Sequence, residues 1–149
     1  MAASVIVERT ERILVAPDRL LPMIANLPQW IEWSPWEGTD PGMDREYGGE
    51  PGTVGSSYRW EGDRKAGAGS MRITAVDPDG VSIDLRFTRP FRSTSDIRFV
   101  LDAEGDDATR VIWRMESPKT FLSRFINLDK LVGPDFERGL RQLKQVAES

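Results

Sequence analysis

From residue 54 onward the chain alternates apolar and polar residues with a period of two, and near its end it switches to the period of a helix. Few folds accept that combination. In Val54–Gly62, Val54, Tyr58 and Trp60 share one face while Arg59 and Glu61 share the other. Met71, Ile73 and Ala75 stand against Ser70, Arg72 and Thr74. After the turn signal Asp77-Pro-Asp-Gly80, Val81, Ile83, Leu85 and Phe87 stand against Asp84 and Arg86. Ile97, Phe99 and Leu101 oppose Asp96 and Arg98, and Val111, Trp113 and Met115 oppose Arg110, Arg114 and Glu116. Residues 4–15 read as a further strand, and residues 45–47 as a brief one. Strands at hairpin spacing, each with one apolar face, predict an antiparallel meander that must be covered on one side.

The cover is expected from residues 119–148. Phe136, Leu140, Leu143 and Ala147 recur at helical spacing, with Arg138, Arg141, Lys144 and Glu148 outside. Pro134 is tolerated in a first turn or at a break, so the helix is expected to begin near Asp129–Gly133. The run KTFLSRFI before it reads as a separate short helix. Between the first strand and the meander, Pro17 opens a short amphipathic helix carrying Leu20, Leu21, Ile24 and Leu27. Pro28 interrupts it, and residues 29–36 form a second helical piece. The predicted fold class is α+β: a curved antiparallel sheet of about seven strands wrapped around a long C-terminal helix, with two short helices after the first strand. At this length, residues 1–149 are expected to form one domain.

Composition narrows the chemistry. The chain has no histidine and no cysteine, which removes the commonest neutral-pH proton carrier, the thiolate nucleophile and the main zinc ligands. Twenty basic and 24 acidic residues are mixed along the chain, giving a net charge of −4 without the basic clustering that nucleic acid requires. No apolar run approaches the ~20 residues of a membrane span, and the first residues carry charges where a secretory signal needs its apolar core. Asp40, Asp44, Glu46 and Glu50 crowd one loop, but their spacing matches no calcium loop and reads as solvated acids. Gly48, Gly49, Gly52 and Gly55 precede no Gly-Lys-Ser/Thr and read as turn and bulge residues. These features predict a cytoplasmic monomer or homodimer with no metal, cofactor, nucleic-acid partner or stable membrane insertion. Four of the five tryptophans, Trp30, Trp33, Trp36 and Trp60, fall in one stretch and mark a large apolar wall.

Several phrases occur in a telling order: Val15-Ala-Pro17, Trp33-Ser-Pro-Trp36, Asp40-Pro41, Gly52-Thr-Val-Gly55, Tyr58-Arg-Trp60-Glu-Gly62, Gly67-Ala-Gly69, Phe87-Thr-Arg-Pro90 and Trp113. They end in Gly133-Pro-Asp-Phe136-Glu-Arg-Gly-Leu140-Arg-Gln-Leu-Lys144. Over nearly its whole length the chain resembles the START-like (SRPBCC, helix-grip) superfamily, and within it the polyketide cyclase/dehydrase-like group. The resemblance implies a deep apolar pocket between sheet and helix, of the kind used for lipids, sterols, polyketides or plant hormones. It does not imply a reaction. Members that perform chemistry often use His, Arg, Tyr or Asp in the pocket, and this chain departs from them in having no His.

The candidate ligand-binding residues follow. Trp30 and Trp33 stand at the rim; Tyr58, Trp60, Met71, Leu85, Phe87, Phe99, Trp113 and Met115 form the inward face of the sheet; Phe121, Phe136 and Leu140 lie on the helical side. Arg89, on the inward register of its strand, can meet a ligand carboxylate at the mouth, or can pair with a nearby acid. Tyr58 and Ser56 are the inward polar candidates. Each ring serves equally well as filled core, and the alternation alone leaves that open. Three functions compete: a carrier or sensor of an apolar small molecule, a cyclase/dehydrase with Tyr58 as acid and an inward Arg or Asp as partner, or a groove gripping a protein segment. Lining residues are abundant and catalytic candidates sparse, so binding is favoured and no catalytic residue is assigned.

Overall fold

A computed structural model describes residues 4–36, 42–64, 67–89, 92–119 and 127–149. Seven strands form one antiparallel sheet: β1 (Ser4–Ile13), β2 (Asp44–Gly48), β3 (Ser57–Glu61), β4 (Ala68–Asp77), β5 (Gly80–Arg89), β6 (Ser93–Ala103) and β7 (Thr109–Pro118). Their spatial order is β1-β7-β6-β5-β4-β3-β2, so β2 to β7 run as a meander and β1 closes on the last strand. Helix α1 (Pro17–Ala25) and a 3-10 helix (Leu27–Glu32) follow β1, and α2 (Leu128–Glu148) ends the chain. The α+β helix-grip architecture is the expected one. The run KTFLSRFI beyond Lys119, and with it Phe121, lies outside the described residues.

Helix α2 starts where the sequence signals a start. Asn127 caps it, its side-chain oxygen accepting from the Lys130 N–H at 3.2 Å, and Asp129 places negative charge in the first turn. Pro134 lies early in the helix, one residue past Gly133. Phe136, Leu140 and Leu143 are fully buried beneath the helix, which packs mainly on β1. Three ties fix it there: Arg9 to Asp129, Lys144 Nζ to the Arg12 carbonyl at 2.8 Å, and the Leu14 N–H to Glu148 at 2.8 Å. Helix α1 covers part of β5 and β6.

Three details of register differ from simple alternation. At the end of β5, Phe87 pairs with Gly69 but Arg89 with Ala68, so Thr88 is an extra residue and Arg89 joins the row of Ala68 and Glu61 instead of the expected inward row of Phe87, Gly69 and Trp60. A bulge in β4 pairs Ile73 with Ile83 but Ala75 with Ser82, so Thr74 is an extra residue. Val76, opposite Val81, takes the inward position expected of Ala75 and packs on the core. Val54 is exposed rather than inward, because residues 50–56 form turns instead of strand. Gly49, Gly52 and Gly55 all adopt positive φ (71°, 86° and 94°), which side chains other than glycine resist.

Candidate functional site

The aromatic residues separate into two groups. The first is Trp30, Trp33, Trp36, Phe99, Trp113 and Phe136. Trp113 is its hub: Phe136 stacks on it at 4.1 Å between centroids, Phe99 lies at 4.8 Å, and Trp30, Trp33 and Trp36 meet it edge-on at 5.6–5.9 Å. All but Trp36 are buried. The Trp30 indole N–H donates to the Ile24 carbonyl at 2.8 Å and that of Trp33 to the Met23 carbonyl at 3.1 Å, pinning the 3-10 helix to α1. Trp36 donates to Asp135 at 3.3 Å, and Arg138 donates to the Pro35 carbonyl at 2.8 Å, fastening the 33–36 segment to α2. These rings fill the space under the helices. Trp30, Trp33, Phe99, Trp113, Phe136 and Leu140 therefore stand in packed core.

The second group is a row across the other end of the sheet. Tyr47 stacks on Tyr58 at 5.0 Å, Tyr58 on Trp60 at 5.7 Å, and Phe87 meets Trp60 edge-on at 5.5 Å. Local geometry makes this row possible. Tyr47 and Tyr58 are direct cross-strand partners, and Tyr58 and Trp60 are two apart on one face. The Trp60 ring lies over Gly69, where an added Cβ would stand 2.7 Å from it.

Exposure grades along the inward face. Ile73, Ile83, Phe99 and Trp113 are at most 1% exposed, whereas Met71, Leu85 and Met115 are each 6% exposed, and Phe87 and Trp60 more so. Met71 and Ile73, Leu85 or Phe87 and Ile83, and Met115 and Trp113 share a strand, two or four residues apart. One end of the inward face is sealed by the helices, and the other is less completely covered, with Trp60 and Phe87 half-buried at its edge. Such a wall, mostly apolar with few polar groups, suits a small-molecule site.

Charged groups stand around this wall. Arg89, half-exposed, donates to the Gly62 carbonyl at 2.9 Å and lies 3.8 Å from Glu61, fastening the end of β5 to the β3–β4 connection. Ser56 is spent locally, donating to the Thr53 carbonyl at 2.8 Å. Arg9 points inward from β1, where Asp129 holds it at 2.8 and 2.9 Å and Glu137 lies at 3.8 Å. Hydrogen bonding from Arg9 holds the Asp129 carboxyl below the ordinary aspartate range, and the guanidinium pKa is raised in turn. Arg98–Asp77, Arg86–Asp84 and Arg59–Glu46 pair on the outer face. That face carries an open depression of about 460 Å³ lined by Thr74, Ser82, Asp96, Arg98, Arg114 and Glu116 together with Ile83, Ile97 and Val100.

Alternation missed two residues of the inner wall. Ser95 and Ser117 continue the inward registers of β6 and β7, are buried, and share a hydrogen bond at 2.7 Å between their hydroxyls. The signal was present, since 95 precedes 97, 99 and 101 by the same step of two, but serine at a strand end reads as solvated. The buried indole N–H of Trp113 has no hydrogen-bond partner among the described residues. Among those residues, no group of three or more acidic, histidine or cysteine side chains converges to hold a metal, and no helix is long and apolar enough to cross a membrane.

Known structures share this architecture. The Zhui aromatase/cyclase from a Streptomyces species superposes with a TM-score of 0.71 at 13% identity, covering 98% of this chain and 94% of that one. Norcoclaurine synthase from Thalictrum flavum gives 0.70 at 9% identity, covering 99% and 96%. A protein from Rhizobium loti gives 0.73 at 15% identity, covering 97% and 98%. At such identities the likeness establishes the fold alone. No curated protein matches the chain in sequence. The family model for polyketide cyclase / dehydrase and lipid transport proteins matches residues 4–148, and the chain belongs to that family.

Proposed function

We propose that this protein is a carrier or sensor that binds an apolar, ring-containing small molecule at the less covered end of its inward face. The observation that carries the reading is the half-buried pair Trp60–Phe87, stacked on the buried Tyr58 and bordered by Met71, Leu85 and Met115, at the opposite end from the sealed core. Stacking aromatics and flexible methionines accommodate flat apolar bodies without demanding one shape. Membership in a family described by cyclases, dehydrases and lipid transport agrees with such a ligand. Binding is favoured over catalysis because the inward Arg9 is already engaged by carboxylates, and Arg89, moved off the inward row, by a carbonyl.

Native mass spectrometry of the protein purified without added lipid, combined with a melting screen, tests this. Fatty acids, sterols and polycyclic phenols form the screen. A ligand at a hundred times its Kd should raise Tm by about 5–10 °C, and Trp60→Ala should remove most of that rise. No co-purified species and no shift with any class would overturn the proposal.

A further inference from the structure

Ser95 and Ser117 form the one hydroxyl–hydroxyl pair that the described residues place on the inward wall. They lie across β6 and β7, one position beyond the Asp96–Glu116 pair, each 8% exposed, with Oγ atoms 2.7 Å apart. Their neighbours are apolar: Leu85 stands opposite Ser95 across β5, Val5 opposite Ser117 across β1, and Met115 precedes Ser117 on the same face. Two hydroxyls sharing one hydrogen bond use one proton and leave the second O–H, with free lone pairs, facing whatever fills the space. A filled apolar core gains nothing from that arrangement, because a buried donor without an acceptor is costly.

We propose that the Ser95–Ser117 pair is the polar anchor of the site, taking a neutral oxygen of the ligand (a phenolic hydroxyl or a ketone). The ligand's apolar body then lies along Met115, Leu85 and Phe87. This rests on the binding reading above and specifies the ligand class: an apolar ring system bearing a neutral oxygen at one end. A carboxylate is disfavoured, because the pair offers no positive charge and the inward Arg9 is held by Asp129 and Glu137.

The test compares 2-naphthol, 2-methylnaphthalene and 2-naphthoate, which share a ring body and differ in the end group, by calorimetric titration of the full chain. Wild type should bind the naphthol about tenfold more tightly than the methyl compound, with the naphthoate weakest. Replacing both serines (Ser95→Ala with Ser117→Ala) removes donor and acceptor together and preserves packing, so the fold should hold. In that variant the naphthol preference should fall to about one while affinity for the methyl compound persists. Ser117→Thr, which keeps the hydroxyl, should retain the preference. A naphthol preference unchanged in the double variant, or equal binding of naphthol and methylnaphthalene by wild type, overturns the anchor and leaves the binding reading standing. Failure of wild type to bind any of the three overturns both.

Discussion

Phe136 of α2 lies flat on Trp113 of β7, with centroids 4.1 Å apart and planes 6° from parallel. This stack joins helix to sheet at the centre of the sealed end. Both residues are buried and every other ring of the core group lies around them. Phe136→Ala should therefore cost about 3–5 kcal/mol in urea unfolding, and Phe136→Leu markedly less. A cost below 1 kcal/mol for the alanine variant would show that the helix is held by other contacts.

Gly139 is one turn further along α2, where a Cβ would sit 2.8 Å from Pro35 Cδ and 2.9 Å from Trp113 Cζ3. Alanine in a helix normally gains about 1 kcal/mol over glycine. Here rigid rings oppose the methyl group, and overpacking of this kind costs about 1–3 kcal/mol. Gly139→Ala should lower Tm, whereas a rise would mean that the helix lifts from the sheet without penalty.

Trp30 and Trp113 offer a matched pair. The Trp30 indole N–H is satisfied by the Ile24 carbonyl, while that of Trp113 has no partner among the described residues. Replacement by Phe removes a satisfied donor in one case and an unsatisfied one in the other. Trp113→Phe should be less destabilising than Trp30→Phe by about 1–2 kcal/mol, the difference an unmade buried hydrogen bond makes. Equal losses in chemical denaturation would indicate that the Trp113 N–H does find an acceptor.

The tie between Arg9 and Asp129 makes stability depend on pH. Hydrogen bonding from Arg9 depresses the folded-state pKa of Asp129, and Arg98 and Lys144 do the same for Asp77 and Glu148. Their stabilisation is present above the unfolded carboxylate pKa values, about 3.9–4.3, and is lost as pH falls through the lower folded values. Tm should thus fall as the solution is acidified below about pH 4. Asp129→Asn should lower Tm at neutral pH and flatten the acid limb. An unchanged acid limb would remove this pair from the account.

The meander, the long helix and the two short helical pieces were legible because period-two and period-3.6 patterns are written side chain by side chain. The β4 bulge was not, since an extra residue at Thr74 exchanges Ala75 for Val76 on the inward face and both are apolar. The site was legible only as a set of inward residues. Alternation orients Trp113 and Met115 identically, yet one is sealed beneath Phe136 and the other borders the less covered end, because that depends on where α2 crosses the sheet. Arg89 shows the same limit: alternation places it inward, but the extra residue at Thr88 moves it to the row of Ala68 and Glu61, where it engages Gly62 and Glu61.

The proposed binding mode places an apolar ligand at the Met71–Met115 end rather than beneath the helices. The chain carries five methionines, Met1, Met23, Met43, Met71 and Met115, so methyl-labelled methionine NMR reports on it directly. Titration with 2-naphthol should move the Met71 and Met115 methyl resonances through the ring current of the bound naphthol. Met23, which packs on the core from within α1, should stay in place. Movement confined to Met23 or Met43, or no movement at any methionine at saturating naphthol, would contradict the account.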